Sequence, residues 1–427
     1  MVKNGYRTIG NRQSAIYLGD DLNKEYVVDV ERLLPGGLGL AHEAGKTIFV
    51  SLAAPGDRVR VAVDREQGNI LFASISEILT PSPLRIEPPC PYFGSCGGCD
   101  FQQLNYEAQL AAKSEIIRDC LRRIAGLQNV PEVSVQPSAE WRYRGRAVWQ
   151  FDQETKSIGY YERGSRRVCD VVDCAVLAPG LQQTLEQIRR TPKDLIPSDL
   201  RHLQAVTADN GVSVSPQFAE FRTSELQLKV GDENYTFNAE AFFQINQELL
   251  GPLLDFALKD ARGETAVDLY CGVGLFTVPL ARSFKQVFGV ESNPVATRFA
   301  RRNASRAGLD HARIITATVS DWITNATLGD GRCDFVLLDP PRAGAESAVI
   351  KGILKLEPSQ ISYVSCDPAT LARDLKKLIT GGYEMNSIAA FDLFPQTHHV
   401  ETVVRLSRAA VKSVPLFDTT GEEQKVA

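Results

Sequence analysis

The chain has 427 residues, 44% of them hydrophobic and 23% charged, with a formal net charge of -5. That length supports two or three domains, each able to bury its own core, and the composition excludes fibrous and disordered classes. The acid excess argues against a protein that grips nucleic acid over its whole surface, so any such contact must come from local basic patches.

No apolar run is long enough to span a bilayer, and Met1 to Gly19 is polar with no secretory core, so a cytoplasmic protein without a membrane partner is expected. Nine cysteines in such a chain read as metal ligands, catalytic thiols or core packing rather than as a disulfide framework.

After an N-terminal tail, 1–22, the stretch 23–83 reads as short strands with turn signals, notably Pro35-Gly36-Gly37-Leu38-Gly39-Leu40 and Pro55-Gly56-Asp57 between β-branched runs. Those segments, with Val30 to Leu34, Ile48-Phe49-Val50 and Arg58 to Val61, resemble the TRAM domain, an OB-like barrel. The resemblance implies RNA binding.

A central domain is expected over 84–232. Cys90, Cys96 and Cys99 stand in Cys-Pro-Tyr-Phe-Gly-Ser-Cys-Gly-Gly-Cys, a loop whose glycines let backbone wrap an inorganic core. The fourth ligand is best sought at Cys174, because Cys120 lies in a helical stripe and Cys169 lacks matching surroundings. Four thiolates suit a tetrahedral zinc or an iron-sulfur cluster. A radical S-adenosylmethionine enzyme would space three cysteines by three and two residues, whereas here the first gap is five.

From Asn105 to Leu127 the period becomes helical, with Leu110, Ile116, Ile117, Leu121 and Ile124 on one stripe, a helix expected to pack on the catalytic domain. Between Trp141 and Arg167, seven Lys/Arg stand against three Asp/Glu, interleaved with aromatics. Basic groups bind phosphate and aromatics stack on unpaired bases, so Arg142, Arg144, Arg146, Arg163, Arg166 and Arg167 are candidate RNA contacts.

Over 233–408 strands alternate with helices, which implies a doubly wound, mostly parallel sheet. The strand candidates are Thr265-Tyr270, Gln286-Glu291, Arg313-Thr318, Asp334-Asp339, Ile361-Ser365, Ser387-Phe391 and Glu401-Leu406; a flexible tail, 409–427, follows. Asp268-Leu269-Tyr270-Cys271-Gly272-Val273-Gly274-Leu275-Phe276 falls at a strand-to-helix turn where glycines permit close approach of a ligand. Glu291, at the end of the next strand, can hydrogen-bond both ribose hydroxyls. A nicotinamide site would use the same logic but carries a third glycine. Leu337-Leu338-Asp339-Pro340-Pro341-Arg342 ends the fourth strand; amino methyltransferases place an aromatic after the prolines to hold the target amine, and Arg342 in that place argues for another substrate. His398 and His399 are read as non-ligands, since neighbours on a strand face opposite ways.

Together with Phe242-Phe243-Gln244-Ile245-Asn246, Ser365-Cys366-Asp367-Pro368-Ala369 and Phe394 to Val404, these segments resemble the RNA 5-methyluridine methyltransferases, most of all the cluster-containing branch that modifies 23S rRNA. The resemblance runs from about Glu25 to Arg408. It implies an α/β fold: a Rossmann-like S-adenosylmethionine-dependent methyltransferase domain, an N-terminal OB-like TRAM barrel and a central strand-rich iron-sulfur domain.

It also implies a 4Fe-4S cluster on Cys90, Cys96, Cys99 and Cys174, and S-adenosylmethionine at Gln244, Tyr270, Gly272, Gly274, Leu275, Glu291 and Asp339. At Leu275 the chain departs from a relative that carries a polar residue there. Phe242 is implied as the aromatic that stacks on a flipped base, Cys366 as nucleophile and Glu401 as base.

Uracil carbon 5 is too poor a nucleophile to attack a sulfonium methyl. Thiolate addition at carbon 6 activates it, and a base must later remove the carbon 5 hydrogen. The expected partner is RNA, 23S rRNA before tRNA, bound by a monomer. The rival readings are a radical or redox enzyme using the cluster, and a non-catalytic RNA-binding factor.

Overall fold

A computed structural model describes residues 24–326, 328 and 332–409. The two expected tails, apart from Ala409, lie outside the described residues.

The N-terminal strands run Glu25–Asp29, Arg32–Leu33, Gly39–Glu43, Lys46–Ser51, Arg58–Gln67 and Ile70–Thr80. In Arg58–Gln67 the valines at 59, 61 and 63 are buried while alternate residues face outward, the period-two pattern of a half-covered strand. The first stretch of chain pairs at its start with Arg58–Gln67 and at its end with Gly39–Glu43, which closes the sheet around Val28, Ile48, Val50 and Leu71.

The middle of the chain forms a five-stranded antiparallel sheet in the spatial order Val168–Asp170, Ile158–Tyr161, Arg146–Phe151, His202–Ala208, Gly211–Ser215. Helix Pro179–Arg190 contributes Leu181, Leu185 and Ile188 to its core, around the fully buried Trp149.

The third unit is an eight-stranded sheet in the order Ala312–Thr316, Phe284–Glu291, Gly263–Leu269, Phe335–Leu338, Gln360–Ser365, Glu401–Arg408, Tyr383–Phe391, Val135–Gln136. The first five strands are parallel, and Glu401–Arg408 is antiparallel to both its neighbours. Helices cover both faces, so the central strands need apolar residues on each side; Phe335–Leu338 is buried at all four positions.

Strand ends differ from the sequence expectation at two informative places. Tyr270 leaves the strand because the chain turns there into positive φ, and Thr318 caps helix Val319–Thr324 by accepting from the Asp321 N–H. The helical segment is α over Tyr106–Cys120, continues as one π turn to Ala125, and stops at Gly126 with φ +79°. Its Ile116 and Ile117 share a core with Leu371 and Leu375 of helix Pro368–Thr380.

Candidate active site and thiol cavity

Ligands of doubly wound sheets bind beyond the carboxyl ends of the parallel strands, and three motifs converge there. Strand Gln360–Ser365 ends at Ser365, and Asp367 caps the next helix through the Thr370 N–H with Pro368 at its first turn. Cys366 is thereby fixed on a strand-to-helix corner. The antiparallel strand starts with Glu401, and the Ser365–Thr402 register sets Glu401 beside that corner. Asp339 follows the neighbouring strand, and its carboxylate accepts from Gln244 Nε2 at 3.3 Å.

The three groups act on one another electrostatically. The Cys366 thiol is pushed up to about 12 by burial, then by the negative charges of Glu401 and Asp339. Glu401 is 2% exposed, its Oε1 has no hydrogen-bond partner among the described residues, and burial followed by Asp339 raises its carboxyl well above the usual range. Asp339 rises to about 7 through burial, opposed by the Gln244 hydrogen bond.

Arg342 is the compensating cation: its charge opposes the shifts at both Cys366 and Glu401, so it belongs to the site. The paired histidines depart from expectation, because they lie in the loop before the strand with ring centroids 4.0 Å apart. Burial, then His398 and Arg342, holds His399 down to about 3, so it is neutral.

The glycine loop lies next along the sheet. Tyr270, Gly272 and Gly274 have φ of +65°, +54° and +90°, a left-handed run that carries the backbone around a tight corner. Glu291 Oε2 accepts from the Gly272 N–H at 3.2 Å and Oε1 accepts from the Asn293 N–H at 2.7 Å, which ties the expected ribose carboxylate to the loop. Leu275 turns inward: it is 7% exposed, packs in the apolar core and gives its carbonyl to the Tyr235 hydroxyl, so its side chain is a packing group. Phe243 stacks on Phe237 with centroids 4.3 Å apart, and the adjacent Phe242 is left 54% exposed with the Arg146 guanidinium 5.7 Å from its ring centre.

The structure divides the arginine patch: Arg142, Arg166 and Arg167 are exposed, whereas the expectation is corrected for Arg144 and Arg146, which are turned into the protein. Arg146 is buried and donates to the Ala239 and Ala241 carbonyls and to Gln204, so it anchors the segment leading to Phe242 instead of meeting phosphate. Arg144 lines the thiol cavity, and Arg142 is held by Asp173 at 2.9 Å. Arg163 donates to the Cys99 carbonyl and Arg167 pairs with Glu162, while Arg166 is exposed. Alternating side chains on a strand reach opposite faces, and the sequence does not say which face another segment covers.

Cys90, Cys96, Cys99 and Cys174 line one small cleft, with Tyr92, Phe93, Gln102, Arg144 and Tyr160. Burial pushes the Cys96 thiol up to about 12 and Cys99 to about 11, the latter opposed by Arg144. Among the described residues no three His, Cys, Asp or Glu side chains are grouped to hold a single metal ion.

Residues 212–409 match the family model described as tRNA (Uracil-5-)-methyltransferase, and 27–84 match the TRAM domain of tRNA (uracil(54)-C(5))-methyltransferase. The 23S rRNA (uracil(1939)-C(5))-methyltransferase of Vibrio parahaemolyticus is 31% identical over 90% of this chain and 97% of its own length. Its counterpart in Shewanella amazonensis is 33% identical over 89% and 95%. Among solved structures, the tRNA (uracil-54, C5)-methyltransferase of Pyrococcus abyssi in complex with S-adenosyl-L-homocysteine is similar at 27% identity, with a TM-score of 0.69 covering 90% of this chain and 100% of that one. No helix among the described residues is long and apolar enough to cross a membrane. These likenesses run along nearly the whole chain, which belongs to the RNA uracil-C5 methyltransferase family.

Proposed function

We propose that the protein methylates carbon 5 of a uridine in 23S rRNA through a covalent adduct between Cys366 and uracil carbon 6, with Glu401 as the base. The observation that carries this reading is the single corner holding Cys366, Glu401 and Asp339, whose charges act on one another beside that of Arg342. S-adenosylmethionine supplies the electrophilic methyl group, and Gln244, Tyr270, Gly272, Gly274, Glu291 and Asp339 are the residues that hold it.

Phe242 stacks on the uracil once the base has left its helix or loop stack. Cys366, which is half-buried, must lose its proton to solvent before it adds at carbon 6, and the cation at Arg342 favours the thiolate that burial and the two carboxylates oppose. Addition moves electron density to carbon 5, which takes the methyl group. Glu401, a carboxylate without a hydrogen-bond donor on Oε1, then accepts the carbon 5 proton. The electrons of that C–H bond form the 5,6 double bond and expel the thiolate, which restores the enzyme.

Ribosomal RNA is preferred over transfer RNA because relatives named for 23S rRNA are 31% and 33% identical to this chain, against 27% for the transfer-RNA enzyme. The enzyme acts as a monomer in this reading. Cys90, Cys96, Cys99 and Cys174 line one cleft, and four thiolates suit a 4Fe-4S cluster or a zinc ion, between which the resemblance to the cluster-containing branch favours the cluster. Its role is structural, since methyl transfer moves no net electrons.

Glu401→Gln tests the base. The variant should complete methyl transfer and then stall as a protein-RNA adduct that survives denaturing gels; product release at the wild-type rate would refute the assignment. Nucleoside mass spectrometry of rRNA and tRNA from a deletion strain reads the substrate, and loss of 5-methyluridine from tRNA alone would overturn the rRNA choice.

A further inference from the structure

We infer that Asp100, the residue after Cys99, is a positioning residue that holds the segment 392–400 in the conformation presenting Glu401. The inference rests on the reading of Glu401 as base. Asp100 Oδ1 accepts from the His398 N–H at 2.7 Å, and Oδ2 lies 2.5 Å from His398 Nδ1. The Asp100 and Phe101 N–H groups both donate to the Gln396 carbonyl at 3.0 Å. One side chain and two backbone donors of the thiol loop are thus spent on the three residues 396–398, immediately upstream of the base.

The clamp has a backbone reason. Gln396 sits at φ +67°, a conformation unfavourable for a side-chain-bearing residue that persists only when its surroundings enforce it. Enforcement comes from Asp100 and Phe101 on one side. On the other, Gln109 of helix Tyr106–Cys120 exchanges two hydrogen bonds of 2.9 Å with the Gln396 side chain and N–H. Tyr143 donates to the Pro395 carbonyl at 2.7 Å. Of these holders, Asp100 alone shares its peptide bond with one of the four clustered thiols, so the thiol loop reaches the chemistry through this residue.

The test uses the full-length enzyme as isolated, with three variants beside it. Asp100→Ala should raise amide hydrogen exchange in peptides spanning 392–400 and slow resolution of the Cys366-uracil adduct, by a factor on the order of ten to a hundred as expected for a displaced catalytic group. RNA and S-adenosylmethionine affinities should stay within about twofold, a split between turnover and binding that general destabilisation would not give. Asp100→Asn retains an acceptor for the His398 N–H and should recover part of the rate. His398→Ala removes the imidazole contact while its N–H still donates to Asp100, so it should reproduce part of the effect, which covers the case in which Asp100→Ala fails to fold. Unchanged exchange in 392–400, or adduct resolution at the wild-type rate while Glu401→Gln stalls, overturns the role of Asp100 alone. Normal resolution by Glu401→Gln would remove the base, and the positioning role would fall with it.

Discussion

Asp339→Asn separates the electrostatic cost of the active site from its catalytic use. Burial lifts the Asp339 carboxyl from its ordinary 3.8 to about 7, against the hydrogen bond from Gln244. At 1.36 kcal/mol for each tenfold change in proton affinity, ionised Asp339 costs the folded, cofactor-free enzyme at most about 4 kcal/mol. The group is half-buried and keeps some solvent contact, which lowers the expected cost to about 2 kcal/mol. The folded state binds this proton more tightly than the unfolded chain, so wild-type stability falls as pH rises from about 4 to about 7 and the penalty is constant above that. Asparagine carries no charge at any pH, and its carbonyl can still accept from Gln244. The variant should therefore match the wild type near pH 4 and melt higher by about 4–8 °C at pH 8. Fluorimetric melting without S-adenosylmethionine across that range measures it. A variant no more stable than wild type at pH 8, or a gap that does not widen with pH, would refute the reasoning.

Three further outcomes are expected. Cys366→Ala should abolish methylation while calorimetry shows S-adenosylmethionine binding unchanged, because the thiol acts on the base; substantial turnover would remove covalent catalysis from the scheme. Arg146→Ala should destabilise the fold by about 2–4 kcal/mol in denaturant titrations, since the Ala239 and Ala241 carbonyls lose a charged donor, whereas the exposed Arg166→Ala should shift stability by less than about 0.5 kcal/mol. Cys174→Ser should lower bound iron in anaerobically purified protein and Cys169→Ser should not; stoichiometric zinc without iron in the wild type would refute the cluster.

The candidate site residues Cys366 and Glu291 stood out because each lies in a short motif at a strand-to-helix junction, where capping and turn requirements restrict what the chain can carry. Cys366 before Asp367-Pro368 and Glu291 before Asn293-Pro294 are of this kind. The β-barrel was legible from alternation and turns, but its closure depends on a pairing that no local pattern states. Arg144 and Arg146 were misread because their direction is decided by distant chain: Arg146 is covered by Ala239 and Ala241, and Arg144 by the thiol cleft. Asp100 and His398 are 298 residues apart, and neither carries a local signal of the other. Lys113 offered a readable hint, since a lysine near the apolar stripe of a packing helix requires a buried partner, which proves to be Asp392 at 2.6 Å.

The edge strand Val135–Gln136 and the helix Tyr106–Cys120 belong in space to the catalytic sheet and its core, yet they leave the ribosome long before it. Their partner strand, Tyr383–Phe391, is synthesised about 250 residues later, which at 5–20 residues per second is roughly 10–50 s. The barrel has every residue it needs from the start of that interval, and the middle sheet receives its last strand, Gly211–Ser215, well before the end of it. The helix is left without its partners: Ile116, Ile117 and the buried Lys113 must wait, with their apolar stripe exposed, for a core the nascent chain has yet to supply. The order of synthesis thus makes the last strand the one that completes the fold, and gives chaperones a defined window in which this chain has something to hide.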